Sequence, residues 1–271
     1  MNKIDHAEKL LQLTEEGTSP FHVTASVERQ LQEAGFKKVQ LGKNWKLEKG
    51  GRYYLVHHGT SLVAFAIGKC YRTGDAFRMA AAHTDFPGLR IKPSPEVKKA
   101  GYRQLNVEIY GGAILNTWLD RPLSASGRVA LRSDDVFHPQ MRLVDFKKPF
   151  LTIPNLAIHM NREANSGYKY NVQKDMLPLY GLESAKGSFF KTVAEAAGVK
   201  EEDILGHDLF LYNRMPGTVW GSEEEFVSAP RLDDLQCAFS SMEGLIAGKN
   251  EKSICVHMVM DNEEVGSGTR Q

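Results

Sequence analysis

The sequence has few cysteines, no long apolar run and no surplus of charge of either sign. Its three cysteines, Cys70, Cys237 and Cys255, are far apart, and none forms a C-x-x-C pair. That excludes a disulfide framework and a structural zinc finger. No apolar stretch approaches the ~20 residues of a membrane span, and the Met1-Asn2-Lys3-Ile4-Asp5-His6 start has no signal-peptide core. No N-x-[ST] sequon is present, so a cytoplasmic setting is expected. Lys+Arg 34 against Asp+Glu 33 leave a net charge of +1. This balance carries no polyanion-binding signature, so neither nucleic acid nor an anionic membrane is expected as partner. The P-loop, the G-x-S-x-G elbow and H-E-x-x-H are all missing. What is present is a globular composition, 42% hydrophobic over 271 residues, enough for one large domain or two ordinary ones.

The ends of the chain read as α/β and the middle as β-rich. Ile4, Ala7, Leu10 and Leu11 predict a helix closed by Gly17, and Val27, Leu31 and Ala34 a second from about Ser26 to Gly35. Strands are predicted over 46–56, 61–67 and 77–82. The last two are apolar enough to be buried on both faces. Ile91-Lys92-Pro93-Ser94-Pro95 reads as a breaker-rich joint. Strand-like pieces follow over 104–110 and 127–132, with one helix from Ser188 to Gly198. Leu235, Ala238, Phe239, Met242, Leu245 and Ile246 predict a further helix, and 253–260 a buried strand. This gives boundaries of 1–92, 93–230 as a β-rich insert, and 231–271. The crossover helix expected after the last strand does not arrive before Gln271, which suggests a truncated sequence.

Three clusters could carry chemistry. In His83-Thr84-Asp85, residues two apart on an extended backbone share a side, so Asp85 could hold an imidazole that binds metal. A polar strand end explains the same residues. In Arg231-Leu232-Asp233-Asp234, one Asp could cap the helix and the other bridge two ions. In Asp261-Asn262-Glu263-Glu264, one Glu could bind metal and the other act as general base; a solvated acidic loop is the plain alternative. His, Asp and Glu without Cys suit a hydrolytic zinc, cobalt or manganese site. Gly266-Ser267-Gly268 is half a dinucleotide fingerprint, and the acidic run before it would repel a pyrophosphate. His257 reads as a hydrogen-bonded core residue, and His159 is ambiguous.

These segments match a known pattern. Ser19-Pro20-Phe21-His22, Ala82-His83-Thr84-Asp85, Pro87-Gly88-Leu89-Arg90-Ile91-Lys92, Tyr110-Gly111-Gly112 and Thr117-Trp118-Leu119-Asp120-Arg121 belong to it. So do Ile153-Pro154-Asn155-Leu156-Ala157-Ile158-His159, Ala229-Pro230-Arg231-Leu232-Asp233 and Asp261-Asn262-Glu263-Glu264-Val265-Gly266-Ser267. The sequence thereby resembles the aspartyl aminopeptidase family of co-catalytic zinc metallopeptidases along nearly its whole length.

The resemblance implies an α/β metallopeptidase core with a mixed sheet and helices on both faces, interrupted by a β-rich dimerisation domain. It implies two divalent ions and release of acidic N-terminal residues from peptides. His83 and Glu264 would be metal ligands, Asp233 the bridging carboxylate, Glu263 the general base and Asp85 the residue orienting His83. His159 would reach the active site of a neighbouring subunit in a homo-oligomer, a tetrahedral dodecamer in relatives. The family continues past this end with a further carboxylate and a further histidine ligand, so the isolated chain is expected to be inactive. Pro122 and Ala113-Ile114-Leu115-Asn116 depart from the family pattern in the insert. A non-catalytic assembly subunit, or another metal-dependent amide hydrolase on the same core, are the alternative readings.

Overall fold

The computed structural model describes residues 3–266. Ser267, Gly268 and the chain end at Gln271 lie outside them. In chain order, α1 (Lys3–Glu16) and α2 (Pro20–Glu33) lead into β1 (Lys37–Lys38), β2 (Arg52–His57), β3 (Ser61–Ile67) and β4 (Phe77–His83). Then come β5 (Gly88–Lys99), β6 (Tyr102–Tyr110), β7 (Leu123–Leu131), β8 (Gln140–Asp145), α3 (Val172–Asp175), β9 (Leu179–Leu182), α4 (Phe189–Ala197) and β10 (Ile204–Asn213). The chain closes with β11 (Thr218–Trp220), β12 (Phe226–Ser228), α5 (Leu232–Ala247) and β13 (Ile254–Met260).

Two compact units result, one from Met1–Phe86 with Pro216–Gln271 and one from Pro87–Met215. The joints therefore fall earlier than the 92/93 and 230/231 positions inferred from sequence. Pro93 and Pro95 do not break the chain. They sit inside β5, where its pairing with β6 slips between Ile91 and Glu96, and an irregular stretch of this kind is where prolines are tolerated in a sheet. Thr218–Ser228 folds as the β11–β12 hairpin of the first unit.

The first unit holds a mixed five-stranded sheet in the order β1-β2-β3-β13-β4. Strands β2, β3 and β13 pair antiparallel, while β13 and β4 run parallel. Helices α1, α2 and α5 pack on one face, burying Leu13, Val23, Val27, Leu31, Leu235, Ala238 and Met242 against Tyr54, Leu62, Ala64, Ala82 and Val259. Helix α2 begins earlier than expected, because Pro20 occupies its first turn and the Ser19 hydroxyl accepts the His22 N–H, a favoured start. The strand predicted over 46–56 begins only at Arg52, after a Gly50-Gly51 turn. Phe77–Ala81, expected to be buried, are exposed. Their strand lies at the sheet edge, so it has a hydrogen-bonded neighbour on one side only. No helix among the described residues is long and apolar enough to cross a membrane.

The second unit is a six-stranded antiparallel sheet, β8-β7-β10-β5-β6-β9. Its core is Leu89, Ile91, Leu105, Val107, Leu123, Val129, Phe189, Val193 and Leu209. Helix α4 runs as the periodicity predicts, from the Ser188 cap to Gly198 at φ 66.

Candidate metal centre

The candidate site lies within the first unit. His83 is the last residue of β4. Its Nδ1 is 2.9 Å from the main-chain oxygen of Asp85, which holds the ring and leaves Nε2 facing a group of carboxylates. Asp233 Oδ1 stands 3.6 Å from that nitrogen, Asp234 Oδ2 3.7 Å and Glu263 Oε2 3.7 Å. The ring is largely buried, whereas Asp233 and Glu263 are open to solvent, at 84% and 57% exposure.

Asp85 does more than orient a ring. It is fully buried, and its carboxylate accepts the main-chain N–H of Glu263 at 3.3 Å and of Glu264 at 3.1 Å. The ring is thus held by the Asp85 carbonyl, while the Asp85 side chain fastens the acidic loop after β13 beside the end of β4. Thr84 supports the same junction: its N–H donates to the Met260 carbonyl and its hydroxyl to the Thr60 carbonyl. The Ser61 hydroxyl accepts the Asp261 N–H. The strand ends β3, β4 and β13 are thereby stitched around one point.

The acidic pair at the start of α5 is not a cap. Arg231, at φ 64, precedes the first turn with no side-chain capping hydrogen bond, and the backbone is non-helical at Asp233 and Asp234, so that the regular helix begins at Leu235; the Asp233–Asp234 peptide is cis. Asp234 instead accepts the His83 N–H at 3.1 Å, tying the helix start to the strand end. The sequence pointed to this pair and left open which member did what. Nothing in residue spacing could have shown that Asp234 would meet a backbone amide so far back in the chain. Asn262, at φ 66, takes the left-handed conformation that Asn tolerates better than most residues, and its N–H donates to Asp261.

Burial alone pushes the His83 imidazolium down. The Asp85 carbonyl and the charges of Asp234, Asp85 and Glu263 outweigh that effect and leave its pKa above the ordinary value. One imidazolium is a single positive charge among several carboxylates, and a divalent cation offsets such a set better. The donor chemistry fits. His83, Asp233 and Asp234 form one group whose ligand atoms lie within 4.8 Å of one another, and His83, Glu263 and Glu264 form another. Imidazole nitrogen with carboxylate oxygen and no thiolate is a catalytic rather than a structural zinc donor set. His159 is not a member of either group; it is exposed in the loop after Ile153 in the second unit.

Comparison with known proteins identifies the family of the chain. The family described as "Aminopeptidase I zinc metalloprotease (M18)" matches residues 13–271. The "Probable M18 family aminopeptidase 2" of Clostridium novyi is 42% identical over 275 residues, covering 100% of this chain and 64% of the relative. That of Clostridium acetobutylicum is 40% identical with the same coverage. The chain therefore spans under two thirds of the length of these relatives. Among solved structures, the Ape4 and Nbr1 complex matches with a TM-score of 0.93 at 31% identity, over 99% of this chain and 56% of that one. The S. cerevisiae mApe1 dodecamer matches with a TM-score of 0.82 at 28% identity, over 100% and 64%. With its strand-end cluster and a family match over nearly every residue, the chain belongs to the M18 family of zinc metalloproteases.

Proposed function

We propose that this chain carries the metal-binding part of an aminopeptidase that removes N-terminal residues, acidic ones by preference, from peptides. One observation carries the reading. The imidazole at the end of β4 meets carboxylates from two remote segments at the start of α5 and after β13, and those carboxylates face solvent.

In this reading His83, Asp233 and Glu264 would hold the metal, with Asp233 the carboxylate shared if two ions bind. Zinc is the first choice on donor chemistry, with cobalt or manganese as substitutes. Such ions polarise a scissile carbonyl and acidify water. Glu263, 57% exposed, serves as general base, accepting a proton from the attacking water and returning it to the leaving amine. Asp85 keeps Glu263 and Glu264 in place by holding their amides. His159 serves substrate in a neighbouring subunit, and the working form is a homo-oligomer, a dodecamer by family likeness. The three free thiols support a cytoplasmic setting.

The test is zinc content per chain, by elemental mass spectrometry on protein of verified intact mass, together with release of an N-terminal Asp from a peptide. We expect one zinc or none per chain, lost in His83→Ala, and little or no peptide cleavage by the isolated chain. A zinc held by the wild type and still held after His83→Ala overturns the assigned centre. Two tightly held ions with strong activity overturn the expectation that this chain is incomplete as a catalyst.

A further inference from the structure

The aspartates at the start of α5 are held by little of their own helix. The backbone is non-helical at both Asp233 and Asp234, so neither has the regular helical geometry that fixes a residue in place. Asp234 is tied to the His83 N–H, while Asp233 is 84% exposed. Just before them, Arg231 at φ 64 takes a left-handed backbone that glycine or asparagine adopts more easily. The turn alone does not call for a long cationic side chain.

The contacts of the guanidinium supply the reason. Its Nη2 donates to the Thr14 carbonyl at 2.6 Å. Thr14 lies in the last turn of α1, where the final carbonyls have no donor within the helix. The amide four residues on, that of Thr18, donates to Glu16 instead, so Arg231 takes its place. The last turn of α1 has no basic residue of its own, and a cation complements the negative end of a helix. The same guanidinium lies over the Phe86 ring, 5.7 Å from its centre. Phe86 is buried and follows Asp85, whose carboxylate holds the amides of Glu263 and Glu264. One side chain thus joins the end of α1, the segment after β4 and the residues leading into Asp233, all within the first unit.

We propose that Arg231 is a positioning residue of the candidate metal centre. Its guanidinium clamps the approach to α5 onto α1 and Phe86, and so fixes where Asp233 and Asp234 meet His83. The effect on zinc rests on the metal reading of this cluster; the clamp itself is judged without metal.

The test compares the wild type with Arg231→Gly, Arg231→Asn and Arg231→Lys. The first two variants suit the left-handed turn and remove the guanidinium. The third keeps a cation that can reach a carbonyl and loses the plane that lies on the ring. In metal-free protein we expect amide exchange at His83, whose N–H is held by Asp234, to quicken by roughly tenfold or more in the first two variants. The third should fall between them and the wild type, and exchange in β2 and β3 should stay unchanged throughout. Zinc affinity, by competition with a chelator, should fall about 10- to 100-fold in the first two variants. Unchanged exchange at His83 in both overturns the proposal. So does exchange that quickens equally in β2 and β3, or failure of both variants to fold, since Arg231 then holds the whole unit and not the site. Faster exchange at His83 with no zinc bound by any of the four proteins supports the clamp and counts against the metal centre.

Discussion

Asp85 shows how much one buried carboxylate decides. It reaches no solvent, and it has two oxygens for two amides, those of Glu263 and Glu264. Asp85→Asn replaces one acceptor with a donor that faces an N–H. We expect zinc affinity of the chain to fall by about 10- to 100-fold, the range found when groups that orient metal ligands are removed, read by competition with a chelator. An unchanged affinity would mean that the loop is held by something else.

His257 governs stability and not chemistry. It is fully buried on β13; Nδ1 lies 3.0 Å from the Ser241 hydroxyl, and Nε2 has no hydrogen-bond partner among the described residues. Burial lowers its pKa to about 4. The neutral ring is the folded form, so its contribution is whole above the unfolded value of about 6.5 and is lost as pH falls from there towards 4. The gap is worth about 3 kcal/mol at most. Urea unfolding between pH 7 and 4 should therefore show a steeper loss of stability in the wild type than in His257→Gln. Parallel pH profiles would remove His257 from the account.

At the scale of elements, capping and close approach set the local costs. The Ser188 hydroxyl accepts the Lys191 N–H at 2.9 Å, so Ser188→Ala should cost about 1 kcal/mol. Gly127 lies at φ 151 where β7 pairs with β10, and a Cβ there would run into the Asp208 carbonyl. Gly127→Ala should cost roughly 2–4 kcal/mol, several times the loss from the cap, by thermal or urea unfolding. Equal losses would show that the β7–β10 junction yields. The start of α5 illustrates the opposite case. Two aspartates before an amphipathic run look like a cap, yet the backbone is non-helical at both and their carboxylates turn to His83.

At the scale of the molecule, the chain forms two units with separate cores, and the candidate metal centre belongs to the first. The second is a β-rich body interrupting the first in sequence. Helix periodicity and the apolar strands could be read from residues alone, because 3.6- and 2-residue periods are local properties of the backbone. The chemical character of the site was legible for the same reason: imidazole and carboxylates gathered at the ends of apolar runs. What each acidic residue touches was not legible, since Asp234 meets His83 and Asp85 meets Glu264 across long stretches of chain. Pairing order likewise belongs to the tertiary structure. The apolar sequence of β4 predicts burial whatever its neighbours, and only the order β3-β13-β4 places it at an edge. Residue identity thus determined which chemistry was available and which segments were helix or strand. Strand order and the hydrogen bonds of Asp85 and Asp234 decided where that chemistry converges, because they join groups that no local spacing relates.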